Sequence, residues 1–318
     1  MWQEYTSLEE DTVDVLFVGT SHVYSAIDPM YMYENSGITS FAISAGAMRF
    51  DLTYTVLQEA LETQSPKVIF LDMSAVHYSH QVEEARIHPI LDQLRLSSYK
   101  LDFILNSGCE ELTLLDSVIP FFRYHSRWSE LNAADFRYTT GDLEMTYTRG
   151  HYISYKTVPT EFHFYDDVEE THGEFSDYLS IPIQKIAALC EEKDIDLILF
   201  KIPLPGWYEY QSEVASELAD LVGVPYLELY YEKDEIGLDA ATDYRDDSDH
   251  LNQYGAEKLA DYLIEYLDSN YDLSDQRGIN QRWDEDAVLY DQLKEETLQA
   301  SLYPQTDPEA APEEDSVD

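Results

Sequence analysis

Basic residues are the scarcest class in this chain: 19 Lys and Arg stand against 64 Asp and Glu among 318 residues, a formal charge of −45. A surface so short of cations has no footprint for a phosphate backbone, which argues against nucleic acid as a partner. The same shortage argues against adhesion to an anionic membrane surface. Cysteine is nearly absent. Cys109 and Cys190 are too few for a disulfide framework, lack CxxC spacing and carry no metal signature. Cys190 falls on an apolar helical stripe, the place of a packed thiol. No stretch approaches the ~20 apolar residues that a membrane span requires. The opening segment, Met1 to Asp11, has neither the basic start nor the apolar run of a signal peptide. As written, the sequence is expected to be soluble.

What is abundant is apolar and aromatic. Hydrophobic residues make up 44% of the chain, enough to build a sizeable core despite the charge. Val13–Gly19 is a short, β-branched run ending in glycine, as a buried parallel strand should be. Asp28-Pro29 then reads as a helix start and Gly37 as its stop. Ile38–Ile43 and Val68–Met73 read as the second and third strands, with a helical face of Leu52, Val56, Leu57, Ala60 and Leu61 between them. The pattern resumes with a helix on Leu179, Ile183, Ile186, Ala187 and Cys190 and the strand Leu197–Ile202. A helix around Ser212–Leu221, the strand Pro225–Leu229 and a stripe on Ala256, Leu259, Ala260, Leu263, Ile264 and Leu267 follow. Strands alternating with helices predict a parallel sheet covered on both faces, and five strands suit the flavodoxin-like order 2-1-3-4-5.

The expected fold is therefore a three-layer α/β core over residues 1–75 and 176–270. Residues 76–175, too many for a plain crossover, form an inserted, partly helical cap over the sheet's carboxyl edge. Trp283 and Tyr290 mark a C-terminal helical extension over 271–303, and the acidic, proline-rich residues 304–318 are expected to be disordered.

Two motifs carry chemistry. Gly19-Thr20-Ser21-His22 directly follows the first strand, and ligands of such sheets bind beyond the carboxyl ends of the strands at the switch point beside strand one. Asp246-Asp247-Ser248-Asp249-His250-Leu251-Asn252 precedes the last amphipathic helix. Asp247 and His250 are spaced so that the carboxylate accepts from one imidazole nitrogen while the other faces the crevice, the pairing a serine nucleophile needs. The competing reading is an acid-decorated helix start with Asn252 as its N-cap. That account leaves His250 unexplained in a chain with nine histidines.

Gly-x-Ser-His after strand one, with Asp-x-x-His before the final helix, resembles the SGNH (GDSL-type) hydrolase superfamily over roughly residues 11–75 and 176–268. The segment Phe122-Arg123-Tyr124-His125-Ser126-Arg127-Trp128-Ser129-Glu130-Leu131 also resembles SGNH-like cell-surface proteins of Gram-positive bacteria, several of which carry an N-terminal membrane anchor. The resemblance implies a cell-surface setting, with any anchor lying outside this sequence. It further implies a serine esterase or O-acyltransferase acting on small acyl groups, with an acyl ester or acylated cell-envelope glycan as substrate and no cofactor. Ser21 would be the nucleophile, His250 the base and Asp247 its orienting carboxylate, and the Ser21 and Gly46 N–H groups would form the oxyanion hole. The family's third block, Gly-x-Asn, is missing, since the third strand ends Leu71-Asp72-Met73-Ser74. Ser74 is a candidate replacement, and the gap leaves a non-catalytic glycan-binding or scaffolding protein as the alternative. Further substrate-binding candidates are His22, Arg49, His125 and Arg127, the arginines as clamps for a carboxylate or phosphate. His77, His80 and His88 have no accompanying ligand pattern, so no metal is expected.

Overall fold

The computed structural model describes residues 1–78, 84–110, 112–114, 117, 147–164, 177–245 and 249–303. Five strands form one parallel sheet: β1 (Val15–Gly19), β2 (Ser40–Ser44), β3 (Val68–Asp72), β4 (Asp196–Lys201) and β5 (Tyr226–Glu228). Their order is β2-β1-β3-β4-β5, the arrangement the alternation predicts, with strand ends shifted by two residues or fewer.

The side-chain period of two decides which layer each strand residue feeds. Leu16 and Val18 of β1, Ile69 and Leu71 of β3, and Leu197 and Leu199 of β4 join one apolar cluster. Val15 and Phe17, Val68 and Phe70, and Ile198 and Phe200 join the other. The first cluster is closed by α1 (Trp2–Thr6), α4 (Phe50–Ala60), α7 (Asp177–Glu192) and α8 (Glu209–Val222). The second is closed by α2 (Ser21–Ala26), α3 (Pro29–Ser36) and α9 (Gln253–Asn270). Cys190 packs in the first cluster, and burial pushes its thiol up to about 12. The result is a three-layer α/β fold.

Helix α3 begins and ends where its sequence says. The Asp28 carboxylate accepts from Tyr31 N, Pro29 occupies the first turn, and Gly37 closes the helix at φ 79°. Between β1 and α3 the chain forms the short helix α2, which Thr20 caps.

The insertion after β3 contributes the helices α5 (Glu84–Leu91) and α6 (Ser98–Asn106). Buried Glu59 of α4 receives the Ser97 hydroxyl and the Arg95 N–H, which fastens this segment to the α4 layer. Residues 147–164 return along the opposite border: Ala42 N donates to Arg149 O, Tyr152 N to Tyr24 O and Gln253 N to Ser154 O.

The C-terminal helix α10 (Gln281–Leu302) packs on the body through Trp283 and Tyr290, both fully buried. A buried ion cluster fixes it. Arg149 lies over the Trp283 ring, with Nη1 2.8 Å from Glu4 of α1 and Nη2 2.6 Å from Asp286. Glu4 thereby ties the N-terminal helix, which the sequence pattern does not announce, to the far end of the chain. Among the described residues, no helix is long and apolar enough to cross a membrane.

Candidate functional site

Two elements bring the chemistry together at the carboxyl end of β1. The first is the β1–α2 turn. Gly19 is required there by close approach, since a Cβ at this position would lie 2.4 Å from Cβ of Asp72. With that space open, the Asp72 carboxylate reaches Thr20, accepting from its hydroxyl at 2.7 Å and from its N–H at 3.3 Å. Ser21 then occupies the first position of α2, where a backbone N–H has no carbonyl one turn back within the helix.

The second element is a short antiparallel hairpin in which Tyr244–Arg245 pairs with His250–Leu251. Asn252 welds it to α9. Its side-chain oxygen accepts from Tyr254 N and Gly255 N, and its amide donates to Thr242 O. Asn252 is thus the N-cap of α9, two residues after His250. The hairpin sets Nε2 of His250 2.9 Å from Oγ of Ser21, within hydrogen-bond distance. Nδ1 is turned away from solvent. Asp247, in the loop of this hairpin, lies outside the described residues, as do His80, His125 and Arg127.

Beside this pair the buried polar groups form a chain. The one hydroxyl proton of Thr20 goes to Asp72, so Thr20 Oγ1 accepts from His22 Nδ1 at 3.1 Å, and that nitrogen carries the ring proton. His22 is buried and stacked on His250, with centroids 5.1 Å apart. Desolvation, followed by Lys201, His250 and His77, holds the His22 imidazole well below its ordinary pKa, so it is neutral. On the other carboxylate oxygen of Asp72, Ser74 donates both its N–H, at 3.1 Å, and its hydroxyl, at 2.7 Å. Lys201 at the end of β4 donates to Ser74 Oγ at 3.1 Å and lies over the Trp207 ring. Burial pulls the Lys201 ammonium below its usual range, while Asp72, Glu228 and Asp249 pull it back up.

The remaining candidates fall in different places. Gly46 is exposed in the turn after β2, with open space on its Cβ side, and Ala47 beside it holds a positive φ of 51°. Arg49 is committed to Asp51 in a two-pronged pair and reaches the Ser107 carbonyl. His88 sits on its own helix with Nδ1 2.9 Å from Asp92. His77 accepts from the Gln211 amide at Nδ1, and burial lowers its pKa. Among the described residues, no cluster of His, Cys, Asp or Glu has the makings of a metal site.

Three participants escaped the motif reading: Thr20, Asp72 and Lys201. For Asp72 and Lys201 the signal was a charge closing an otherwise apolar parallel strand, Val-Ile-Phe-Leu-Asp72 and Leu-Ile-Leu-Phe-Lys201, whereas Thr20 gave none. A charge there points into the crevice at the carboxyl edge.

No protein-family model matches the chain, and no curated protein matches it. Among solved structures it is similar to a GDSL-like lipase from Bacteroides thetaiotaomicron, with 9% identity, a TM-score of 0.40, and 84% of this chain and 95% of that one covered. It is also similar to a putative acylhydrolase from Bacteroides fragilis, at 10% identity and a TM-score of 0.38, covering 84% and 93% of the two chains. A putative GDSL-like lipase from Parabacteroides merdae is a third, at 9% identity and a TM-score of 0.36, with 81% and 96% covered.

Proposed function

We propose that the chain is a serine esterase or O-acyltransferase for small acyl groups, with Ser21 as nucleophile, His250 as base and Asp247 as the carboxylate that orients it. The observation that carries this reading is the 2.9 Å approach of Ser21 Oγ to His250 Nε2 at the carboxyl end of β1. The motif resemblance to SGNH hydrolases points to the same three residues, and to an acylated glycan of the cell envelope as substrate.

In this mechanism Ser21 Oγ attacks the acyl carbonyl while its proton passes to His250 Nε2. The carbonyl oxygen becomes an oxyanion, held by the N–H groups of Ser21 and Gly46. As the tetrahedral intermediate collapses, the bond to the leaving alcohol breaks, His250 returns the proton to that oxygen, and the acyl group stays on Ser21. Water, or a sugar hydroxyl, then gives its proton to His250 and attacks the ester, and the proton returns to Ser21. Asp247 would hold Nδ1–H, which fixes the tautomer whose Nε2 is free to accept.

Ser74 stands where the resemblance expects an asparagine donor, but its hydroxyl proton is already committed to Asp72. That gap favours the alternative, a non-catalytic glycan-binding protein built on the same crevice. One experiment separates the two. A fluorophosphonate probe should label the wild type and not Ser21→Ala; an unlabelled wild type sinks the esterase reading.

A further inference from the structure

Next to the Ser21–His250 pair lies a cavity of about 230 Å³ whose lining includes His22, Ser74, His77, Lys201, Gln211 and Asp249. His22 joins it to the chemistry, because the ring that faces the cavity is the ring stacked on His250. Lys201 is the unusual member. It is 1% exposed, yet among the described residues no carboxylate lies within ion-pair distance of its ammonium. Its hydrogen bond goes to a neutral hydroxyl, Ser74 Oγ, and its flank rests on the Trp207 ring.

The acids that act on Lys201 do so from farther away, with their own hydrogen bonds to neutral donors. Asp72 spends both oxygens on Thr20 and Ser74, and Glu228 is hydrogen-bonded by the Tyr226 hydroxyl. Asp249 is exposed at the rim, where solvent screens it. A chain with 64 acidic and 19 basic residues has acids to spare, yet among the described residues none is in direct contact with this ammonium. A buried ammonium that meets its nearest acid only through the Ser74 hydroxyl is still costly to keep, and an anion arriving from solvent in direct contact would relieve part of that cost. The other polar groups point the same way. Gln211 Nε2 donates to His77 Nδ1, so the His77 ring proton sits on Nε2, a donor in the lining in addition to the Lys201 ammonium.

We propose that this cavity is a subsite for an anionic substituent of the substrate, a carboxylate or a phosphate, with Lys201 as its counter-ion. The anion belongs either to the acyl group or to the alcohol that carries it, and in both cases it sits beside the ester held at Ser21. This inference rests on the esterase reading for the identity of the bound molecule, whereas the anion site itself is testable without turnover.

The first arm is binding. Inorganic phosphate and succinate are titrated calorimetrically into the full chain, as wild type and as Ser21→Ala, with succinamide as the neutral control. Both proteins should bind the anions alike and the amide not at all. Lys201→Met should weaken anion binding at least ten-fold, and Lys201→Arg should retain it. If Lys201→Met does not fold, Gln211→Leu serves in its place, with a loss of several-fold. Anion affinity unchanged in these variants, or matched by succinamide, overturns the subsite.

The second arm locates the charge. 4-Nitrophenyl hemisuccinate is compared with 4-nitrophenyl acetate for an anion on the acyl side, and 4-acetoxyphenyl phosphate with phenyl acetate for an anion on the alcohol side. One charged ester should be preferred in kcat/KM by ten-fold or more, and Lys201→Met should abolish that preference. Equal rates on charged and neutral esters overturn the proposal. Anion binding through Lys201 with no turnover of any ester overturns the esterase reading instead and leaves the subsite standing.

Discussion

The imidazole of His22 lies against that of His250, with ring centroids 5.1 Å apart and planes inclined by 26°. Thr20 holds the far nitrogen of His22, and burial keeps the ring neutral. During the proposed turnover His250 becomes an imidazolium, and a neutral plate beside it adds no opposing charge. His22→Phe should therefore keep most of kcat on an aryl acetate. His22→Ala should lose about 2- to 10-fold, the equivalent of the ~0.5–1.5 kcal/mol of a stacked pair. His22→Lys should lose far more, and an unchanged kcat in that variant would refute the role of charge.

Thr20 serves two neighbours with one hydroxyl, donating to Asp72 and accepting from His22. Thr20→Val leaves the buried His22 Nδ1 without its acceptor and takes one donor from Asp72, which should lower stability by about 1–3 kcal/mol. Thr20→Ser, which restores the hydroxyl, should recover most of it. Urea denaturation of the two variants measures the difference. Equal midpoints for Val and Ser would show that the hydroxyl does not matter.

Arg149 is the counter-ion of two buried carboxylates on helices near opposite ends of the chain. Removing it as Arg149→Met takes the guanidinium from buried Glu4 and leaves Asp286 with Arg282 alone, at a cost of about 3–5 kcal/mol. Adding Glu4→Gln and Asp286→Asn to the same chain removes both buried acids, leaves the partly exposed Arg282 to solvent, and should return more than half of that loss. A triple variant no more stable than Arg149→Met alone would mean that packing on Trp283, rather than charge, holds the cluster.

Glu34 supplies a pH test. Desolvation, aided by Asp291, raises its pKa from 4.5 to about 7. Between those values the folded chain keeps a proton that the unfolded chain releases, so this group's contribution to stability is complete below about 4.5 and is lost as pH rises through 7. Glu34→Gln imitates the protonated acid. Its Tm should exceed that of the wild type at pH 8 and match it near pH 4.5. The same Tm difference at both pH values would contradict the assignment.

What the sequence made legible follows from locality. The strands are short apolar runs, and Asp28-Pro29 with Gly37, or Asn252 before the α9 stripe, are signals contained within a few residues. Ser21 and His250 were legible as candidates because one closely follows the first strand and the other closely precedes the last amphipathic helix. The partners of Thr20 and Arg149 were not, since Asp72 is 52 residues from Thr20 and Glu4 is 145 from Arg149. Helix α1 has only five residues, too few for a helical period to show. Lys201 was read as the interior of an apolar strand, and only the neighbouring loops reveal that it ends one in a cavity.

Strand β2 lies at the border of the sheet, and such a border offers unpaired N–H and C=O groups to any other extended chain. Here the place is partly taken from within. Ala42 N donates to Arg149 O, and Gly150 runs so close to the strand, at φ +92°, that a Cβ on it would lie 1.9 Å from the Ala42 carbonyl oxygen. The same turn that carries the buried arginine is therefore a guard against self-association. A side chain at position 150 would push it off and uncover a ready template for strand addition. A loss of solubility in Gly150→Val would then come from an opened edge.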